Sequence, residues 1–174
     1  VKAEMGPALT AEDVKIPMWE VAHRLPPDVR IAGAKMVDVG NPHCVLFLEK
    51  AYWEEGETVE SYMNRLDISR AGAFLENYEG FASGVNVEFC MALERPAPWP
   101  SVENITMPGF GSEFCGSTLR VRVWERGSGE TLACGSGACA VYAALGDSDR
   151  PGCIFMNGGR LCVEQRDDGE MLLS

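Results

Sequence analysis

One segment of this 174-residue chain limits its fold more than any other. Gly137-Ala138-Cys139-Ala140-Val141-Tyr142-Ala143-Ala144-Leu145 is almost wholly apolar and small. Residues 136–145 are expected to be a helix, and a helix that is apolar all round has to be enclosed by the rest of its domain. The remainder of the readable sequence supplies the enclosure. Apolar and polar residues alternate along it, the two-residue period of strands that bury one face. Strands are expected over 19–24, 34–39, 44–49, 85–93, 119–125, 152–156, 161–165 and 170–173. A second helix is expected over 57–65, where acidic residues lead into Val59, Tyr62, Met63 and Leu66 at helical spacing. Strands wrapped around a buried helix make an α+β fold.

A chain of this length forms one domain or a tight two-lobed unit, and it can bury about 70% of its unfolded surface without a disulfide or metal staple. Its hydrophobic fraction of 46% and charged fraction of 24% are those of a globular protein. Fifteen Lys and Arg against 26 Asp and Glu leave a net charge of −11. That balance argues against nucleic acid and against an anionic membrane surface, both of which draw on clustered cations. No apolar run reaches about 18 residues and no secretion signal precedes the fold, so a cytoplasmic protein is expected. Seven cysteines fall without a CxxC repeat and only His23 and His43 could join them, so neither a zinc site nor a disulfide framework is expected. Most of these cysteines read as small buried hydrophobes. The chain opens on Val1 and breaks off after a strand-like Met171-Leu172-Leu173-Ser174, as a piece of a longer product would. Residues 95–117 hold Pro96, Pro98, Pro100 and Pro108 and read as a functional loop or a flexible excursion.

The chemistry concentrates in Glu125-Arg126-Gly127-Ser128-Gly129-Glu130-Thr131-Leu132-Ala133-Cys134-Gly135-Ser136-Gly137. A strand runs through a glycine-containing turn into Cys134, and the apolar helix follows at once. Unpaired N–H groups at a helix N-terminus stabilise a thiolate and are expected to draw Cys134 below the usual value of about 8.5. The N–H groups of Gly135, Ser136 and Gly137 form a cradle for a carboxylate. An inert cysteine in a structural turn is the alternative at this stage. Gly40-Asn41-Pro42-His43-Cys44 lies between two expected strands, where Asn41 either closes a turn or meets a substrate and His43 is half-buried or handles protons. Asn86, within Val85-Asn86-Val87-Glu88-Phe89, is a polar residue among strand residues.

Together these motifs, in this order and with the turn Asn157-Gly158-Gly159-Arg160-Leu161, closely resemble the diaminopimelate epimerase family. The resemblance runs from about Glu4-Met5-Gly6 to the end and is weakest over 95–117, which reads as an insertion. It implies a cofactor-independent isomerase of lysine and peptidoglycan precursor synthesis. It further implies a fold of two similar lobes, each a curled, mostly antiparallel sheet around a central helix. Each lobe brings one cysteine, a thiolate base on one face of the α-carbon and a thiol acid on the other. Carried over, Cys134 is the catalytic cysteine of the second lobe, with His43 and Glu125 assisting the thiols. Gly135 and Ser136 cradle the α-carboxylate, Asn41, Asn86, Glu125 and Arg126 contact substrate, and Arg126 faces the distal carboxylate. The first lobe with its Cys-Gly-Asn signature is absent: Cys115 lies in the insertion and Cys139 inside the helix. The chain is therefore expected to be residues 1–174 of a second lobe, inactive alone, with diaminopimelate as small-molecule substrate and the missing lobe as partner. A homodimer is a family expectation. Two alternatives stand beside this reading: a racemase or epimerase of another amino acid, of the proline or hydroxyproline type, and a non-catalytic binding lobe.

Overall fold

The computed structural model describes residues 2–13, 16–81, 83–93, 118–146 and 151–174, so the segment 95–117 lies outside the described residues. In chain order the elements are β1 (Ala3–Pro7), β2 (Thr10–Asp13), α1 (Met18–Ala22), β3 (Val29–Asp38), β4 (Pro42–Lys50), α2 (Val59–Arg65), α3 (Ser69–Glu76), β5 (Asn86–Ala92), β6 (Thr118–Glu125), β7 (Gly129–Thr131), α4 (Gly135–Leu145), β8 (Gly152–Met156), β9 (Gly159–Gln165) and β10 (Glu170–Leu173). The fold is mixed α and β. All the described strands join one sheet in the order β1-β10-β9-β8-β6-β5-β4-β3-β2, with β7 paired to β6 beside that path. Pairing is antiparallel throughout except β4 with β5 and β6 with β8.

The sheet's two ends, β1 and β2, are separated in the chain only by Ala8 and Leu9. Nine strands side by side would span roughly 40 Å if flat, whereas this link reaches only about 10 Å. The sheet has to curl until its edges approach.

Side-chain alternation then sorts two cores. Cys44, Leu46 and Leu48 of β4 and Val87, Phe89 and Met91 of β5 pack with Val21, Tyr62, Met63 and Leu75 of the first three helices. Val45 and Phe47 of β4 and Cys90 of β5 point the other way, to the core that contains Ala138, Cys139, Ala140 and Val141. Helix α4 lies against β2, β3, β4, β5, β9 and β10, strands drawn from both halves of the sheet order. Its small side chains allow that approach from several directions, and Gly146, in the left-handed conformation (φ 69°), ends it.

Helix α2 starts with a capping box between Thr58 and Ser61 and is tied to the sheet by two buried arginines. Arg122 donates to the carbonyls of Met63 (2.8 Å) and Leu66 and, bidentately, to Glu130 (2.6 Å to each oxygen). Arg120 donates to Asn64 Oδ1 (2.6 Å), the Phe155 carbonyl (3.1 Å) and Asn157. These bonds hold α2, β7 and the β8–β9 turn to one strand, β6, and so steady the run of chain that leads into α4.

The structure departs from the sequence expectation in a few places. Residues 19–24 are not a strand: α1 occupies Met18–Ala22, with Val21 fully buried and Trp19 67% exposed. Alternation there rested on residues that do not share a buried face. Strand β3 begins five residues earlier than expected and continues through an irregularity between Ile31 and Gly33. Strands β1, β2 and β7 carry no clear period in the sequence, β7 being only three residues long, and helix α3 is not among the expected helices although Ile68, Ala71, Gly72 and Leu75 stand at helical spacing. Cys44, Cys90, Cys139 and Cys162 are buried and free. Burial pushes the Cys44 and Cys139 thiols up to about 12. Among the described residues, no helix is long and apolar enough to cross a membrane.

Candidate active site

Three strand ends and one helix start meet in one place because of the register of the sheet. The parallel β4–β5 pair sets His43 opposite Asn86. The antiparallel β5–β6 pair sets Val87 opposite Trp124, which brings Glu125 and Arg126 beside Asn86. The β6–β7 hairpin then returns the chain to Cys134, the N-cap of α4.

The polar contacts follow from that convergence. The Arg126 backbone N–H donates to Asn86 Oδ1 (2.9 Å), which turns the Asn86 amide nitrogen toward His43 Nε2 at 3.5 Å. His43 Nε2 lies 3.1 Å from Asn41 Oδ1, and His43 Nδ1 lies 2.6 Å from Glu88 Oε1. His43 and Glu88 are both fully buried. A Cβ at position 137 would come 2.8 Å from that same Glu88 oxygen, so glycine there lets the first turn of α4 lie against the carboxylate without displacing it. Cys134 Sγ accepts the Gly137 N–H (3.3 Å) and lies 3.3 Å from Ser136 Oγ, while its own N–H donates to Met156 Sδ (3.4 Å). The Thr131 hydroxyl donates to Glu125.

Electrostatics corrects one expectation. Burial pushes the Cys134 thiol up from its ordinary value; the hydrogen bonds from Ser136 and Gly137 oppose this, and the charges of Glu125 and Glu88 add to it. The helix terminus does supply donors, but desolvation outweighs them. The balance favours the thiol form of Cys134 over the thiolate. Burial likewise raises Glu88, against the opposing pull of His43.

Cys134, Gly135, Ser136, Asn41, His43, Asn86 and Glu125 thus come together at the N-terminus of α4 and the strand ends around it. Arg126 joins the cluster through its backbone. Its guanidinium lies on the surface and donates to the carbonyls of Ser83 (2.8 Å) and Gly84 (3.4 Å). Sequence reasoning did not single out Glu88. Its signal was there, two residues after Asn86 and so on the same face of β5, but nothing local said that this face meets a histidine.

The sequence model of the diaminopimelate epimerase family matches residues 35–173, a span that contains every residue of this cluster. The chain belongs to the diaminopimelate epimerase family. It is 34% identical over 178 residues to the chloroplastic diaminopimelate epimerase of Oryza sativa subsp. japonica, covering 97% of this chain and 43% of that one. Against the diaminopimelate epimerase of Elusimicrobium minutum (strain Pei191) identity is 33% over 178 residues, with 97% and 53% covered. Against that of Synechococcus sp. (strain JA-3-3Ab) it is 38% over 128 residues, with 72% and 34% covered. The chain spans about half the length of such relatives, or less. Among solved structures, a phenazine biosynthesis protein of the PhzF family from Bacillus anthracis superposes with a TM-score of 0.64 at 10% identity, over 99% of this chain and 56% of that chain. A PhzF-family protein from Enterococcus faecalis does so with a TM-score of 0.53 at 13% identity, over 99% and 52%. This chain thus shares its fold with proteins of very different sequence.

Proposed function

We propose that this chain is the second lobe of a cofactor-independent diaminopimelate epimerase, its sheet curled around α4, and that it supplies one of two catalytic thiols. The observation that carries this reading is the placement of Cys134 at the N-cap of α4, whose first turn lies against Glu88, the carboxylate that also holds His43 beside Asn41 and Asn86. Inversion at an α-carbon needs a base on one face and an acid on the other. Burial favours the thiol form of Cys134, which suits it to the acid role: it passes its proton to the α-carbon while a thiolate from the first lobe removes the opposite one. The carbanion-like charge that develops falls next to the α-carboxylate. The N–H groups of Gly135 and Ser136 would hold that carboxylate and share the charge. Asn41 and Asn86 would bind the amino acid's polar groups. Glu125 and His43 would take up or return protons, and Arg126, released from the 83–84 carbonyls, would meet the distal carboxylate. Cys134 ends the turnover as a thiolate and is ready to run the reaction in reverse.

The lobe, with the first lobe restored, is expected to convert L,L-diaminopimelate in heavy water to the meso form with α-deuterium incorporation, read by NMR. Cys134→Ala should abolish both signals, and the 174-residue chain alone should show neither. Turnover by the single lobe, or exchange that survives Cys134→Ala, would overturn the two-thiol reading. Absence of exchange in the completed protein would move the substrate to another amino acid. The cytoplasmic location and the homodimer belong to this proposal as well; the rice relative's name places that protein in the chloroplast.

A further inference from the structure

The carboxylate of Glu88 is completely buried, spends one oxygen on His43 Nδ1 at 2.6 Å, and leaves the other, Oε2, without a hydrogen-bond partner among the described residues. Burying a carboxylate in this way works against stability, since an apolar residue of similar volume would fill the place without the desolvation. Its geometry fits another purpose. The two nitrogens of His43 face different surroundings: Nδ1 meets the sealed Glu88, and Nε2 meets Asn41, which is partly exposed, and Asn86. We propose that Glu88 is the positioning residue of His43: by occupying Nδ1 it fixes the ring and leaves Nε2 as the nitrogen presented to the polar mouth formed by Asn41 and Asn86. An imidazole held on one nitrogen by a buried carboxylate has a defined hydrogen arrangement on the other, and a proton-handling histidine depends on that.

Two further features support the assignment. Asn86 cannot take over the role of Glu88, because its Oδ1 is held by the Arg126 N–H and its amide nitrogen approaches the opposite side of the ring. Position 137 is glycine where any side chain would push on Glu88 Oε1. The groups that act on Glu88 from the surrounding elements are His43 and Cys44 on β4, Cys90 on β5, Glu125 on β6 and Cys134 at the α4 N-cap. Glu125 is the other carboxylate among them, and its Oε1 accepts from Thr131.

The proposal rests on the reading of this cluster as an epimerase site only for its catalytic consequence; the positioning itself can be read from the chain as it stands. With His23 and His43 as the chain's two histidines, and His23 exposed after α1, ring signals in a 15N-labelled sample separate into a solvent reference and the buried ring. His43 is expected to show one fixed hydrogen arrangement and a far-downfield proton, slow to exchange, in the Nδ1–Glu88 hydrogen bond. Glu88→Gln should remove that proton signal and shift both His43 ring nitrogens while leaving His23 and the amide spectrum in place. Gly137→Ala, which retains the carboxylate but crowds it, should disturb the same signals, and Glu88→Asp should restore part of them. Unchanged His43 ring shifts in Glu88→Gln, or a wild-type ring averaging between two arrangements, would overturn the proposal. In the protein completed with its first lobe, Glu88→Gln should lower kcat about tenfold or more with KM little changed. A completed wild-type protein that is inactive on diaminopimelate yet shows the expected ring signals would move the substrate to another amino acid and leave the positioning of His43 established.

Discussion

At Cys134 two opposing local effects are resolved by burial. The Gly137 N–H and the Ser136 hydroxyl favour a thiolate, while desolvation and the charges of Glu125 and Glu88 favour the thiol, and the thiol prevails. Alkylation by iodoacetamide at pH 7 should therefore be slower at Cys134 than at a solvent-exposed thiol, and should accelerate as pH rises beyond the ordinary thiol range. Removing a negative charge lowers a thiol's pKa, so Glu125→Gln should speed the reaction at any fixed pH between 7 and 9. Mass spectrometry of the peptide carrying Cys134 measures both rates. A reaction slowed by Glu125→Gln would mean that Glu125 activates the sulfur instead of opposing its ionisation.

At the scale of elements, the site depends on packing at some distance from it. Helix α3 crosses Trp124 so closely that a Cβ on Gly72 would stand 2.6 Å from the indole. Trp124 also donates to Glu76 (2.7 Å) and lies next to Glu125 in β6. Gly72→Ala should cost about 1–3 kcal/mol of stability by overpacking, measured by denaturant unfolding, even though alanine is the better helix former. Arg122→Ala should cost about 3 kcal/mol or more, because two helix-end carbonyls and Glu130 lose their shared donor. It should also loosen the β6–β7 hairpin that delivers Cys134, seen as faster amide exchange over Gly129–Thr131.

For the whole molecule, stability below and above pH 4.5 is tuned in opposite directions by two carboxylates. Lys50, its ammonium surrounded by the rings of Tyr62 (4.4 Å) and Trp53 (5.1 Å), pairs with Glu57, and Arg65 pairs with the same carboxylate. These partners hold the Glu57 carboxyl down at about 2, below its ordinary 4.5. The folded chain therefore binds this proton less readily than the unfolded one, and the stability Glu57 contributes is complete above about pH 4.5 and lost as pH falls toward 2. Glu88 has the opposite sign: its carboxyl is raised, so stability declines as pH climbs from 4.5 through its folded-state value. Unfolding titrations should show Glu57→Gln flattening the acid limb and Glu88→Gln flattening the limb above pH 4.5. Exchanged effects would reverse these assignments.

How much of this was legible in the sequence depends on how far apart the deciding residues lie. The apolar run of α4, the alternation of β4, β5, β6 and β8–β10, and the place of Cys134 just ahead of a helix are local patterns, fixed by periods of a few residues and by end effects of one turn. The family motifs were legible for the same reason, as short words in a set order. Residues 19–24 misled because a short alternation looks the same whether or not one side meets a core. Tertiary structure alone decided that Glu88, 45 positions from His43, closes on its Nδ1, that Arg122 reaches back 56 residues to the end of α2, and that β1 and β2 stand at opposite ends of the sheet order. It also decided the direction in which the Cys134 thiol is shifted. Helix-end donors can be read from spacing, but desolvation is a property of everything packed around the sulfur, and only the folded chain brings those atoms together.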